Sequence, residues 1–272
     1  MSSVTERIAK IKQPYGGFIP SKVMTVTQLN DNNTLHPLSS ESVHPSIMGL
    51  MVDYMTRFML FRNAREAFGI SLLGAEYASQ FLYNGQFILN NIKEYIDQIH
   101  GLDDMSLTYA RHIVKGDCWF RTGQGPFDIG KDFYKYVKML DRPTLDNAKV
   151  MINRALTFTK LYGPITKSEF TFENGYTSLV DSGDGDFLTN DCLWDFKVSV
   201  KKPTKNHTLQ LLMYYLMGKH SKKPEFNNIK KIGVFNPRLN TVYQLDVNEI
   251  DSNIIKEVEY NVIGYKDSIL EG

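Results

Sequence analysis

A chain of 272 residues, 42% apolar and 22% charged, has ordinary globular composition, which excludes global disorder and fits one large domain or one domain with a sizeable insertion. The formal charge is only +1, yet residues 197–231 hold nine lysines against one acid, Glu225, so a local +8 is balanced by −7 elsewhere. Two cysteines, Cys118 and Cys192, exclude a disulfide framework or a four-cysteine metal site; with no apolar leader and no membrane-length apolar run, the expectation is a cytoplasmic protein without a membrane partner.

In chain order, KVMTVTQL (22–29) alternates as a strand does, and DNNTLHPLSSES (31–42) is a turn-rich loop. From Ile47 to Phe61, eleven of fifteen residues are apolar, and the other four, Gly49, Asp53, Thr56 and Arg57, fall on one helical stripe. A helix that is apolar nearly all round is buried. Asp53 therefore needs a partner, and two readings stand: an ion pair with Arg57 one turn on, or a metal. His44, before Pro45, reads as a helix cap or a surface residue. Helical patterns continue over 75–99, 105–114 and 145–163, with GLDD, GQGPFD and DRPT as turns between them, so residues 44–163 read as mostly helical.

The pattern then changes. FTFENGYTSLV (170–180), GDFLT (185–189) and CLWDFKVSV (192–200) are strand-like. HTLQLLMYYLMG (207–218) returns to helix, with Leu209, Leu212, Met213 and Leu216 on one stripe. NIKKIGVFNP and NTVYQLDV read as strands around an NPRLN turn, and VNEIDSNIIKEVEYNVIGY (247–265) as a final helix.

The period of two places Cys192, Trp194, Phe196, Val198 and Val200 on one face and Leu193, Asp195, Lys197 and Ser199 on the other. An Asp and a Lys on one strand face are either a solvated ion pair, worth little, or a metal-holding carboxylate beside a polarising ammonium. Gly183 and Asp186 form a GxxD just upstream, and NDC suits a hairpin turn that brings Asp186 towards Asp195. Two bare carboxylates repel, and a hard divalent cation relieves that. On the next helix His207, Gln210 and Tyr214 form a polar stripe; Gln210 is either an exposed helix former or an amide that orients water or phosphate. Asp181 and Asp184 read as turn acids, Arg238 as a solvated turn arginine ahead of a phosphate contact, and Glu173 as an acid whose facing alternation does not fix. GQG (123–125) lacks the phosphate-loop lysine, and no nucleophile-elbow serine is present.

The ordered set Gly183–Asp186, Asp195-Phe196-Lys197 and Gln210–Tyr214 resembles the PD-(D/E)XK nuclease superfamily, and its helix resembles the RecB-type exonuclease branch. The resemblance covers residues 170–218, and more loosely 44–60. It departs upstream, where this superfamily usually draws another acid from an early helix and the 47–61 stretch holds no Glu; Asp53 is the candidate. The resemblance implies an α/β restriction-endonuclease-like core, αβββαβ, with a mixed central sheet flanked by helices. That core would lie at about 165–250 of a single 1–272 domain, with a helical insertion at about 63–163. It also implies an exonuclease-like DNA phosphodiesterase using Mg²⁺ or Mn²⁺, held by Asp186, Asp195, the Phe196 carbonyl and Asp53. Lys197 would meet the attacking water or the scissile phosphate, Gln210 would position one of these, and Tyr214 and His207 would support them. Lys201, Lys202 and Lys205 would hold the DNA backbone, and a separate helicase or recombination protein is the partner implied. The alternative is an inactive nucleic-acid-binding or partner-recruiting module on the same fold. The presence of Asp186, Asp195 and Lys197 together favours the enzyme.

Overall fold

The computed structural model describes residues 2–125, 127 and 137–271. Helix α1 (Val4–Lys10) starts at Ser3, whose hydroxyl accepts the Glu6 N–H at 3.3 Å while the Glu6 carboxylate accepts the Ser3 N–H at 2.9 Å. Such a reciprocal cap satisfies two orphan donors at once. Strand β1 (Thr25–Gln28) falls inside the expected 22–29. The chain divides into two units, Met1–Asn30 with Phe158–Gly272, and Asp31–Thr157.

The second unit is helical: α2 (Pro45–Phe61), α3 (Ala64–Ala67), α4 (Gly69–Ser79), α5 (Gly85–Asp97), α6 (Asp104–Ile113), α7 (Lys115–Thr122) and most of α8 (Arg142–Tyr162). His44 is the N-cap of α2, its ring accepting the Ser46 N–H at 3.3 Å, as the cap reading expects. The pattern read as one helix over 75–99 is two, because residues 80–84 break it. Helix α7 escapes an apolar-period reading because Lys115, Gly116 and Asp117 are buried on it. Asp117 is stabilised there by the Tyr54 hydroxyl and by Arg121 at 2.7 Å. The turn expected at GQGPFD runs into residues 126 and 128, outside the described set.

The first unit is α/β. To α1 and β1 it adds β2 (Lys167–Thr171), β3 (Asp184–Leu188), β4 (Cys192–Phe196), α9 (Lys205–Ser221), β5 (Lys231–Asn236), β6 (Thr241–Asp246) and α10 (Ser252–Glu257). Six strands form one open mixed sheet in the order β1-β6-β5-β4-β3-β2. Strands β4 and β5 pair in parallel, the other described pairs antiparallel. Parallel neighbours need a crossover, and α9 is that crossover. Leu193, Ile232 and Val234 join Leu209, Leu212 and Leu216 of α9 in one core. On the opposite face Trp194 meets the end of α8, with its ring centroid 4.9 Å from Phe158 and 5.4 Å from Tyr162.

Three boundaries differ from the expected ones, the first being that of the strand expected at 192–200, which stops at Phe196. The strand expected at 170–180 starts earlier and stops at Thr171, because Asn174 turns the chain with φ 70° and the Gly175 N–H donates to the Phe172 carbonyl at 2.8 Å. The final helix is α10 followed by a π-helical turn, Val258–Ile263, where the Gly264 and Tyr265 N–H groups both donate to the Glu259 carbonyl at 2.8 and 2.9 Å. The Glu259 side chain is fully buried and accepts from Ser268 and the Ile269 N–H, with His220 Nε2 2.8 Å away. No helix among the described residues is long and apolar enough to cross a membrane.

Candidate active site

The hairpin anticipated from NDC forms, with Phe187 opposite Trp194 and Leu188 opposite Leu193. One step beyond the last pair, that register sets Asp186 across from Asp195. Alternation gives both the face shared by Leu188 and Leu193, which is the face α9 covers. The Asp186 carboxylate reaches past the end of the ladder: its Oδ2 accepts the Phe196 N–H at 2.6 Å, the amide that joins Phe196 to Asp195. The two acids therefore converge where β3 and β4 part.

Asp195 is 4% exposed. Its Oδ1 accepts from Lys197 Nζ at 3.0 Å. Its Oδ2 is buried without a hydrogen-bond partner among the described residues. An unpartnered carboxylate oxygen in the interior is costly, and native structures keep few of them. Lys197 is half-buried. Burial alone would lower its pKa, but Asp195, Asp186 and Asp184 together outweigh that and hold the ammonium above the ordinary lysine range. Asp184, two residues before Asp186 on the same strand, thus adds its charge to the site rather than acting as a turn acid.

Helix α9 supplies the other wall. The Tyr214 hydroxyl accepts from Gln210 Nε2 at 2.9 Å. Burial first, then the charges of Asp195 and Asp184, and more weakly Asp186, push the Tyr214 phenol well above its usual range. One Gln210 N–H is thereby committed to the tyrosine. His207 Nδ1 accepts the Thr204 N–H at 3.1 Å, which puts the proton of the neutral ring on Nε2. Burial and the Lys197 ammonium lower the His207 pKa, with Asp195 opposing. Gly183 packs between α1 and α9: a Cβ there would lie 2.9 Å from Val4 Cγ2 and 3.4 Å from the Tyr214 ring. The glycine of GxxD is needed for that close approach.

The loop after β4 is pinned by Asn236, which no sequence pattern singles out. Its Oδ1 accepts the Ser199, Arg238 and Leu239 N–H groups at 3.4, 3.0 and 3.2 Å. Its Nδ2 donates to the Ser199 and Lys201 carbonyls at 2.7 and 3.4 Å. Asn236 thus carries on where the β4–β5 ladder stops and fixes the path from Lys197 to the exposed Lys201, Lys202 and Lys205. Arg238 is buried rather than a solvated turn residue.

Two other candidate acids have partners of their own. Both carboxylate oxygens of Asp53 accept from Arg57, at 3.1 and 2.7 Å, so of its two readings the ion pair is the one formed. Burial still raises the Asp53 pKa, against the pull of Arg57. Glu173 is on the surface, tied to Thr171 and Lys223, and its hydrogen bond from Lys223 brings its pKa down to about 2. Among the described residues, no group of three or more His, Cys, Asp or Glu is placed to hold a metal ion. A Mg²⁺ site, however, often rests on one or two carboxylates and completes its shell with water and substrate phosphate. Asp186 and Asp195, with the unpartnered Oδ2, fit that smaller donor set. No family model matches the chain, and no curated protein or solved structure does either.

Proposed function

We propose that this chain is a divalent-metal-dependent nuclease that hydrolyses phosphodiester bonds of DNA. The observation that carries the reading is the convergence of Asp186 and Asp195 at the parting ends of β3 and β4, with Lys197 Nζ 3.0 Å from Asp195 Oδ1 and Asp195 Oδ2 left without a partner among the described residues. Further support comes from topology. The antiparallel run β2-β3-β4, the crossover α9 and the parallel strand β5 agree with the βββαβ part of a restriction-endonuclease-like core.

Asp186 and Asp195 would hold Mg²⁺ or Mn²⁺, with the Phe196 carbonyl as a further oxygen. Bound there, the ion supplies a water of lowered pKa and offsets charge on the phosphate. The chain's own groups do the rest. Lys197 keeps its charge at neutral pH and has N–H donors beyond the one spent on Asp195, so it can donate to a phosphate oxygen or to the attacking water. Gln210 keeps its second amide N–H and its oxygen to position either of these. Tyr214 stays protonated and forms the wall behind them. Neutral His207 offers an Nε2–H without adding charge beside Lys197.

The test is incubation of the purified protein with linear, circular, single- and double-stranded DNA and with RNA, with Mn²⁺ or with chelator. Cleavage of DNA that needs the metal is the expected result. Binding without cleavage of any substrate overturns the enzyme in favour of the inactive nucleic-acid-binding module. A second prediction concerns the metal alone. Because the ion binds only the folded carboxylate pair, Mn²⁺ at a hundred times its dissociation constant stabilises the native state by about 2.7 kcal/mol. Thermal melting of the parent should rise with Mn²⁺. The Asp186→Ala/Asp195→Ala double variant should show no rise, and an equal rise in both would remove the site.

A further inference from the structure

We propose that Tyr15 is a stacking platform for an unpaired base of single-stranded DNA whose phosphates follow Lys12, Lys201, Lys202 and Lys205. The inference deepens the nuclease reading and rests on its assignment of DNA as the substrate. Tyr15 is fully exposed at the tip of the turn Pro14-Tyr15-Gly16-Gly17. That turn is closed by the Gly17 N–H donating to the Pro14 carbonyl at 2.9 Å, and both glycines take the left-handed backbone it requires, φ 83° and 95°.

The turn is anchored beside the candidate active site. Gln13 Nε2 donates to Asn206 Oδ1 at 2.8 Å, and the Thr208 hydroxyl donates to the Ile19 carbonyl at 2.6 Å. Gly17 lies so close to Lys205 that a Cβ would come 2.5 Å from the lysine Cβ. All three contacts fall on the first turn of α9, the helix that carries His207 and Gln210. The ring is therefore held out on a fixed base and buries nothing of its own.

Charge selects the ligand. Residues 7–30 contain Arg7, Lys10, Lys12 and Lys22 and no acid. Among the described residues, Lys12, Lys201, Lys202 and Lys205 are exposed and make no ion pair. Of the other lysines in the block, Lys223 is paired with Glu173, Lys231 with Asp191 and Lys219 with the Phe226 and Asn227 carbonyls, whereas Lys222 and Lys230 are exposed without an ion pair among the described residues. An aromatic face among unspent lysines suits a strand whose bases are free to stack. Inside a duplex both faces of each base are already covered. Stacking on such a ring contributes enough that its removal weakens single-strand binding by about tenfold.

The experiment measures equilibrium binding of a fluorescent oligothymidylate and of a relaxed, covalently closed duplex circle, in chelator, in the Asp195→Ala background so that no cleavage can occur. Adding Tyr15→Ala should weaken oligothymidylate binding by about tenfold and leave duplex binding unchanged, and Tyr15→Trp should bind as the parent does. The proposal is overturned if Tyr15→Ala binds the single strand as tightly as its parent, if it weakens both ligands equally, or if the parent binds no single strand. None of these readouts depends on catalysis, so failure of the cleavage chemistry and failure of the stacking platform remain distinguishable.

Discussion

Asp195→Ala is expected to lower metal-dependent cleavage by on the order of 10³-fold or more, because it removes a carboxylate from the two that would place charge and activated water at the phosphate. The fold should survive. Removing this carboxyl also removes the unpartnered Oδ2. Lys197 is not stranded by the change: it is half-exposed and still faces Asp186 and Asp184. Melting in chelator should stay within about 4 °C of the parent, a shift that about 1 kcal/mol produces in a chain of this size. Cleavage by the variant at the parent's rate would place the chemistry elsewhere. Loss of both folding and activity would leave Asp195→Asn, which keeps an acceptor for Lys197, as the deciding variant.

Trp194→Ala is expected to cost roughly 3–5 kcal/mol of stability, the range for truncating a large buried aromatic. Trp194 is 1% exposed. It packs edge-on to Phe158 and Tyr162, and its Nε1–H donates to the Thr189 hydroxyl at 3.1 Å. Gly233 on β5 lies beneath the ring, where a Cβ would strike it. The truncation leaves a cavity beside Phe158 and Tyr162, and the Thr189 hydroxyl loses its donor. Urea unfolding followed by circular dichroism should show a lower midpoint with an unchanged slope. A loss below about 1 kcal/mol would mean that the end of α8 does not rest on Trp194.

Much of the α/β unit was legible because its strands follow simple rules. Alternation in CLWDFKVSV correctly separates Trp194 from Asp195, and NDC correctly marks the hairpin. Periodicity also finds α2, α8 and α9. What it misses has local causes. The Ser3–Glu6 cap of α1 was present in the sequence as S-x-x-E, but with only seven residues the helix shows little period. Helix α7 turns charged groups inward, where Tyr54 and Arg121 satisfy Asp117, so its pattern reads as polar. The π-helical turn around Glu259 depends on partners at His220, Ser268 and Ile269 that no local pattern shows.

The site was legible in part for the same reason. The convergence of Asp186 on Asp195 follows from the hairpin register, and Lys197 from the strand period. The partner of Asp53 is not legible, because a helical stripe shows which groups share a face and not which of two partners wins. Asp184 reads as a turn acid because a GDGD run looks like a turn, whereas β3 begins there. Asn236 holds the loop after β4 through hydrogen bonds to backbone more than thirty residues away in sequence, and nothing in NPRLN announces that. Tyr15 stands out only once its exposure and its anchorage on α9 are both known.

The most direct measurement of the central claim is an anomalous difference map from crystals soaked in Mn²⁺. A peak is expected within about 2.0–2.2 Å of a carboxylate oxygen of both Asp186 and Asp195, the spacing of small divalent ions to oxygen. A map with no peak between these acids, or with the ion bound elsewhere on the chain, would contradict it.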